Sequence, residues 1–162
     1  MKPALCLGLF ALAFAGCQSP PAKPTDYTPT AAKFYLETTR PDATSLVLPQ
    51  SGVRIAIESK PALNEGDIGN VELMQVDLGK CLMFQFTPDA ARELYRISAA
   101  NQGRRLVLML NQVALGARRI DGPLADGNLL VFVEVADSAL PVLVSNLKKT
   151  SAEIQRQLAR KR

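Results

Sequence analysis

Apolar side chains recur at every second position along much of the chain, which is the period of a β-strand with one buried face. The alternation is clearest over residues 53–57 and 82–86. Similar alternation predicts three further strands over 34–38, 44–48 and 71–77, with a turn over 77–80. The chain before residue 87 therefore predicts a series of short strands.

A helix is predicted directly after these strands. Thr87 is a suitable N-cap, Pro88 fits the first helical position, and Asp89 lies near the positive end of the helix dipole. Apolar residues then recur on one helical face as far as residue 100. Gly103 is placed to end the helix.

The following segment is apolar on both faces. Residues 106–110 and 129–133 predict buried strands, and Asn111-Gln112 predicts a tight turn that leads into a returning strand from Val113. A second helix is expected to begin near Asp137 or Ser138 and to run toward the C-terminus. This order of elements predicts a single α+β domain with a mainly antiparallel sheet and two helices on one face.

The N-terminal residues have a different composition. An apolar stretch over 4–16, too short to span a bilayer, ends at Phe14-Ala15-Gly16-Cys17. This arrangement resembles a bacterial lipoprotein signal, in which the cysteine is acylated and becomes the new N-terminus. The alternative is ordinary secretion with Cys17 as a free thiol. Four prolines between residues 18 and 30 then predict an extended tether.

The predicted organisation has four parts. They are a signal peptide over 1–16, a lipidated Cys17 with a proline-rich tether over 17–32, an α+β domain over 33–149 and a basic helical tail over 150–162. The lipoprotein resemblance implies fatty acyl chains such as palmitate on Cys17, and a location in the cell envelope facing the periplasm. Gln18 after the cysteine implies the outer membrane rather than the inner one.

Charge is concentrated at the C-terminus. Six basic residues follow Leu147 and are opposed only by Glu153, whereas residues 17–147 carry 12 basic and 14 acidic side chains. The basic tail has two interpretations: a surface that binds anionic lipid, or a solvated helix end whose cations suit the helix dipole. Nucleic acid is not an expected partner, because the folded body lacks a basic excess.

The residue types exclude several chemistries. The chain has no histidine, which excludes Ser-His-Asp and Cys-His catalysis and histidine-based zinc sites. Cys81 is predicted to be a buried, inert thiol rather than a reactive one. The loop over 121–128 has glycines and oxygen ligands, which could indicate a calcium site. It lacks the closely spaced Asp and Asn ligands and the terminal glutamate of a calcium loop, so a turn-rich connection is favoured. No enzyme activity, metal or cofactor is predicted.

One segment resembles a known family. Residues 67–147 are similar to the periplasmic head of the protein-export subunit SecD. The motifs that carry the resemblance are Phe84-Gln85-Phe86-Thr87, Asn101-Gln102-Gly103 before the apolar strand, and Val113-Ala114-Leu115-Gly116-Ala117, followed by Ile120, Gly127 and Ser138. The resemblance implies a ferredoxin-like α+β fold and an engagement with exported polypeptide.

The segment also departs from that family. Asn111-Gln112 stands where Asp-Gly is common, Arg118 stands where proline is usual, and Asp89-Ala90-Ala91 replaces a Glu-Gly-Ala-like segment. The sequence contains no apolar segment after the domain that could cross a membrane, so the proton-driven export machinery is not inferred from the resemblance.

Two surfaces are candidate binding sites. An apolar sheet face is expected to be either an exposed binding or dimer surface or a core face covered by the C-terminal helix; its residues are Val107, Met109, Leu130 and Phe132. The second candidate is a group of four arginines at the ends of a predicted hairpin: Arg104, Arg105, Arg118 and Arg119. They are expected to be either a basic cluster for an acidic ligand or a solvated strand end with Asp121 and Glu93 as counterions.

These observations favour a membrane-anchored envelope lipoprotein that acts as a non-enzymatic binding or adaptor module with a protein or peptide partner. One alternative is a lipoprotein hydrolase that uses Asp121, Asp126 and Ser138. The other is a structural envelope protein whose basic tail binds an anionic surface.

Overall fold

Eight short strands and two helices account for most of residues 26–160, the part of the chain that the computed structural model describes. The strands are β1 (Ala32–Leu36), β2 (Thr44–Val47), β3 (Arg54–Ile57), β4 (Ile68–Val76), β5 (Gly79–Phe86), β6 (Arg105–Leu110), β7 (Val113–Arg119) and β8 (Asn128–Val131). The helices are α1 (Pro88–Ala100) and α2 (Leu140–Arg160), and single 3₁₀ turns cover Glu65–Asp67 and Asp137–Ala139.

The predicted signal peptide, Cys17 and most of the predicted tether lie outside the described residues, as do Lys161 and Arg162. Within the described part, β1 begins at Ala32, the last residue of the predicted tether. Helix α2 continues without a break from the predicted domain into the predicted basic helical tail, which begins at residue 150. Thr150 and Ser151 are buried, so this stretch of α2 packs against the domain.

All strand pairings within residues 26–160 are antiparallel. Two three-stranded sheets, ordered β1-β6-β7 and β4-β5-β8, lie side by side, and β2 and β3 form a separate hairpin. A single antiparallel bridge between Gly116 and Val133 joins the two larger sheets. The predicted α+β domain with mainly antiparallel sheet and two helices is confirmed.

The main hydrophobic core lies between the inner faces of these sheets and the two helices. Phe34 of β1 contacts Phe84 and Phe86 of β5 edge to face, with ring centroids 5.0 and 5.6 Å apart. Phe34 and Phe84 are fully buried. Each such side chain contributes about 2–3 kcal/mol by burial, so these rings hold the two sheets against one core.

Both helices follow the sequence signals. The Thr87 hydroxyl accepts the Ala90 N–H at 3.4 Å at the start of α1, and Pro88 occupies its first turn. The buried face of α1 includes Leu94 and Ile97. Helix α2 buries Leu140, Val144 and Leu147 in the same core cluster, so both helices cover the inner side of the sheets.

A second, smaller cluster covers part of the outer side. Leu48, Ile55 and Ile57 of the β2–β3 hairpin pack against Val107 of β6 and Ala114 of β7. Val107 is fully buried there. The β2–β3 hairpin, and not the C-terminal helix, therefore covers this part of the predicted apolar face.

The junction between the larger sheets requires a glycine at position 116. A Cβ atom at this position would lie 2.3 Å from the backbone oxygen of Phe132, far inside van der Waals contact. We expect Gly116→Ala to lower the free energy of unfolding by about 2–3 kcal/mol, measured by urea denaturation.

Gly122→Ala is the matched control, because a Cβ atom there meets nothing within 4 Å and the backbone is not left-handed. This control is expected to change stability by less than about 0.5 kcal/mol. Equal unfolding midpoints for the two variants would contradict the role assigned to Gly116.

Candidate functional surface

The outer side of the sheets is divided into a covered half and an open half. The β2–β3 hairpin covers β1-β6-β7, whereas the outer side of β4-β5-β8 carries apolar side chains that are partly exposed. Partly buried apolar side chains on this open face, Met74, Met83 and Leu130, belong to neither hydrophobic cluster. We refer to the outer side of β4-β5-β8 as the open face.

The strand register arranges the open face in rows. Met83 of β5 lies opposite Glu72 of β4 and Leu130 of β8, so these three side chains share one side of the sheet. Met74 follows two residues after Glu72 on the same side. Phe132 comes two residues after Leu130, just beyond β8, and is 37% exposed. The open face thus carries adjacent methionine, leucine and phenylalanine side chains at one end.

The neighbouring row consists of carboxamide side chains. Asn70, Gln85 and Asn128 lie opposite one another across the three strands. The Asn70 Nδ2 group donates to Gln85 Oε1 at 2.8 Å and to Glu72 Oε1 at 3.0 Å. Carboxamides both donate and accept hydrogen bonds, so this row offers both kinds of group beside the apolar side chains.

Glu72 connects the open face to α2. Its Oε1 atom accepts hydrogen bonds from Asn70 and from Lys148 of α2, the latter at 3.2 Å. These hydrogen bonds lower the pKa of the Glu72 carboxyl. Glu72 is therefore ionised at neutral pH and marks one edge of the face with negative charge.

Cys81 lies on the same side of β5 as Met83 but is fully buried. Burial raises the pKa of its thiol, which disfavours the reactive thiolate. This environment agrees with the predicted inert thiol.

The four predicted basic residues do converge at one end of the β6–β7 hairpin. Arg105 lies opposite Arg119, and Leu106 lies opposite Arg118. Arg118 and Arg119 both approach the Asp121 carboxylate, at 3.5 and 3.8 Å. Asp121 was an expected counterion, whereas Glu93 instead binds Arg96 on α1.

Two further counterions, Glu37 and Glu58, had not been expected. Glu37 follows β1, and its carboxylate binds the Arg105 guanidinium through Nη2 at 2.6 Å and Nε at 3.0 Å. Arg104 donates to Glu58 Oε1 at 2.8 Å and to the Glu37 backbone oxygen. The alternation of apolar and polar residues indicates where a strand lies along the sequence, but not which other strand end it contacts in the fold. The neighbouring residues of Glu37 and Glu58 therefore gave no indication of these ion pairs. The arginines are largely neutralised and connect strand ends.

The residues considered for hydrolysis do not form a common site. Asp121 pairs with the arginines described above, and Asp126 Oδ1 accepts the Asn128 N–H at 3.1 Å in the turn before β8. Ser138 is exposed in the 3₁₀ turn before α2. No hydrogen bond or ion pair within residues 26–160 joins any two of these three residues. Within the same range, no three cysteine, aspartate or glutamate residues are grouped as metal ligands would be.

Comparisons with protein-family models and with curated proteins give no match. Solved structures do match. One is the structure of SecDF, a membrane component that enhances protein export. Its sequence is 16% identical to the present chain, and the two structures match with a TM-score of 0.56 over 74% of this chain and 63% of that chain. The domain resembles the SecD periplasmic domain. The resemblance inferred from residues 67–147 is thereby confirmed.

Two other SecDF structures show the same likeness. SecDF in a super-membrane-facing form is 15% identical, with a TM-score of 0.55 over 78% of this chain and 18% of that chain. SecDF of Thermus thermophilus, a translocon-associated membrane protein, is 14% identical, with a TM-score of 0.52 over 76% and 20%. The present chain spans about a fifth of these two proteins, and identities this low show a shared fold.

The described residues contain two helices, and neither has the combination of length and apolar character that membrane crossing requires.

The Glu37–Arg105 pair predicts an acid-dependent loss of stability. Hydrogen bonding to Arg105 holds the pKa of Glu37 below its ordinary value in the folded domain. Its contribution is therefore fully present above the ordinary carboxyl pKa and is lost as the pH falls through the lower folded pKa. We expect Glu37→Gln to reduce the free energy of unfolding by about 1–2 kcal/mol at neutral pH and to flatten its decline in acid.

Urea unfolding at neutral pH and at about pH 3 measures both effects. Glu93→Gln removes a more exposed pair with Arg96 on the surface of α1 and serves as the control, with a smaller loss expected at neutral pH. An equal loss in both variants would show that Glu37 has no special role in joining the strand ends.

Proposed function

We propose that this chain is a lipid-anchored, non-enzymatic binding module of the bacterial cell envelope, which binds extended segments of polypeptide on its open face. The observation that carries the proposal is the row of partly exposed apolar side chains that belong to neither hydrophobic cluster, centred on Met83 and Leu130. Partly exposed apolar side chains grouped on one sheet face are typical of an interaction surface.

The side chains of the open face suit a partner of variable sequence. Methionine is flexible and polarisable, so Met74 and Met83 adapt to apolar groups of different shape. The adjacent row of Asn70, Gln85 and Asn128 provides donors and acceptors for the backbone of an extended chain. The likeness to SecDF, of which one structure is described as enhancing protein export, supports polypeptide as the partner class.

The proposal of a non-enzymatic role is supported by the separate positions of Asp121, Asp126 and Ser138, and by the absence of histidine from the sequence. Acyl transfer by serine requires a neighbouring base and an oriented third group, and the contacts of these residues provide neither.

The anchor is proposed from the sequence. Phe14-Ala15-Gly16-Cys17 ends an apolar stretch as in bacterial lipoproteins, and Gln18 favours the outer membrane. Acyl chains on Cys17 would hold the domain at the membrane, on the periplasmic side, because two or more chains together give stable anchoring.

Binding on the open face is tested with an unfolded model polypeptide. Fluorescently labelled, reduced and carboxymethylated α-lactalbumin is titrated with the full chain in detergent, and anisotropy gives the dissociation constant. We expect Met83→Ser and Leu130→Ser each to weaken binding by about tenfold, because each removes apolar contact area at the centre of the face.

Leu78→Ser is the matched control. Leu78 is 86% exposed in the β4–β5 turn, so this variant loses the same kind of side chain outside the face and is expected to bind normally. Absence of binding by the unmodified chain, or equal weakening by Leu78→Ser, would reject the open face as the binding surface.

Acylation is tested separately. Cells grown with an alkyne analogue of palmitate should label the full chain, and Cys17→Ala should abolish both labelling and signal cleavage. Cys81→Ala controls for acylation of another thiol and is expected to keep full labelling, since Cys81 is buried. Labelling that survives Cys17→Ala would overturn the anchor.

A further inference from the structure

The described domain has an uneven charge distribution. Helix α2 carries four basic residues and one acidic residue, whereas residues 26–139 carry 11 basic and 14 acidic side chains. Helix α2 has a net charge of +3 and residues 26–139 have −3, so the two regions cancel, and the excess of positive charge lies on the exposed side of one helix. Such separation orients a protein in the field of a charged surface.

Three of the α2 cations border one hollow. Lys148, Lys149 and Arg156 line a surface hollow of about 480 Å³, which Tyr27 and Glu153 also line. Their partners are exposed carboxylates, each at 3.2 Å: Lys148 binds Glu72, Lys149 binds Asp26 and Arg156 binds Glu153. Exposed ion pairs of this kind contribute little stability, so the cations can exchange these partners for other anions.

The chain enters the domain at the same place. The Lys149 ammonium lies 5.4 Å from the centroid of the Tyr27 ring, and the Thr30 N–H donates to Thr150 Oγ1 at 2.9 Å. Thr30 and Thr150 are both buried, so this segment is fixed on α2. Cys17 precedes Asp26 by nine residues, which reach at most about 32 Å. An anchor at Cys17 therefore keeps this side of the domain near the membrane.

From the basic hollow and the entry point of the chain, we infer that α2 docks on the anionic lipid surface of the anchoring membrane. Headgroup phosphates replace the carboxylates of Asp26 and Glu153 as partners of Lys149 and Arg156, and Arg160 adds a further cation one turn along the exposed side of the helix. The inference rests on the proposed anchor at Cys17.

This docking sets the orientation of the open face. Helix α2 packs on the inner side of the sheets, through the core that contains Leu82 and Phe84, whereas Met83 and Leu130 point to the outer side. With α2 against the lipid, the open face points away from the membrane and toward a polypeptide in the aqueous space.

The orientation is measured with the full acylated chain reconstituted into vesicles. A fluorophore is attached through Ala152→Cys, at the hollow, or through Ser45→Cys, in β2 of the hairpin on the outer side; both positions are exposed, and the buried Cys81 is replaced by alanine. Quenching by nitroxide-labelled lipid reports proximity to the bilayer. We expect strong quenching only at position 152, in vesicles containing phosphatidylglycerol, and its loss in phosphatidylcholine vesicles or at about 1 M salt.

Charge variants then test the hollow itself. Replacing Lys148, Lys149 and Arg156 by glutamine is expected to lower the ratio of docked to undocked domain on the order of a hundredfold. Replacing Arg40, Arg92 and Arg119 by glutamine removes three cations from other exposed ion pairs and is expected to leave quenching unchanged. Asp26→Asn removes a carboxylate that competes with lipid phosphates for Lys149, so it should increase quenching at position 152. Asp26 is exposed, so this substitution is not expected to disturb the fold.

Equal quenching at positions 152 and 45 would overturn the docking inference. So would quenching at position 152 that is the same in neutral and anionic vesicles and is unchanged in the triple glutamine variant. Failure of the anchor can be distinguished from failure of docking by sedimenting the vesicles. An unacylated chain would remain in the supernatant. An anchored but undocked domain would sediment with the vesicles and show no quenching at position 152.

Discussion

The architecture depends on the close approach of two backbones at Gly116. Within residues 26–160, the sheets β1-β6-β7 and β4-β5-β8 share a single bridge, in which Gly116 meets Val133 beside the Phe132 carbonyl. This approach lets two small sheets present one inner face to both helices. A side chain at position 116 would push the sheets apart and open the core between them.

The inner and outer sides of this joined sheet have different roles. The inner side is filled by Phe34, Phe84 and the apolar faces of the helices. On the outer side, the β2–β3 hairpin packs on Val107 and Ala114, and the Gln50 N–H in its turn donates to the Glu134 carboxylate at 2.6 Å, next to the junction of the two sheets. The apolar residues of the open face therefore lie beside this second layer and belong to neither hydrophobic cluster.

Local sequence patterns predicted the elements well because their causes are local. The Thr87-Pro88 start of α1 and the Asn111-Gln112 turn depend on neighbouring residues, and both occur where the sequence placed them. The candidate surface was only partly predictable. Val107 and Leu130 have equally apolar surroundings in the sequence, yet one lies under the hairpin and the other on the open face. That difference depends on contacts between distant segments, as do the bonds from Arg104 to Glu37 and Glu58.

The contacts just before β1 have a mechanical consequence. The Asn111 side chain accepts the Ala31 N–H at 2.9 Å and donates to the Pro29 oxygen at 3.1 Å, while Thr30 is bound to Thr150. These bonds hold three successive residues to two different elements, the β6–β7 turn and α2. A pulling force on the N-terminal segment is therefore shared between the turn and the helix before it reaches β1, so the strand is not peeled from the sheet one hydrogen bond at a time.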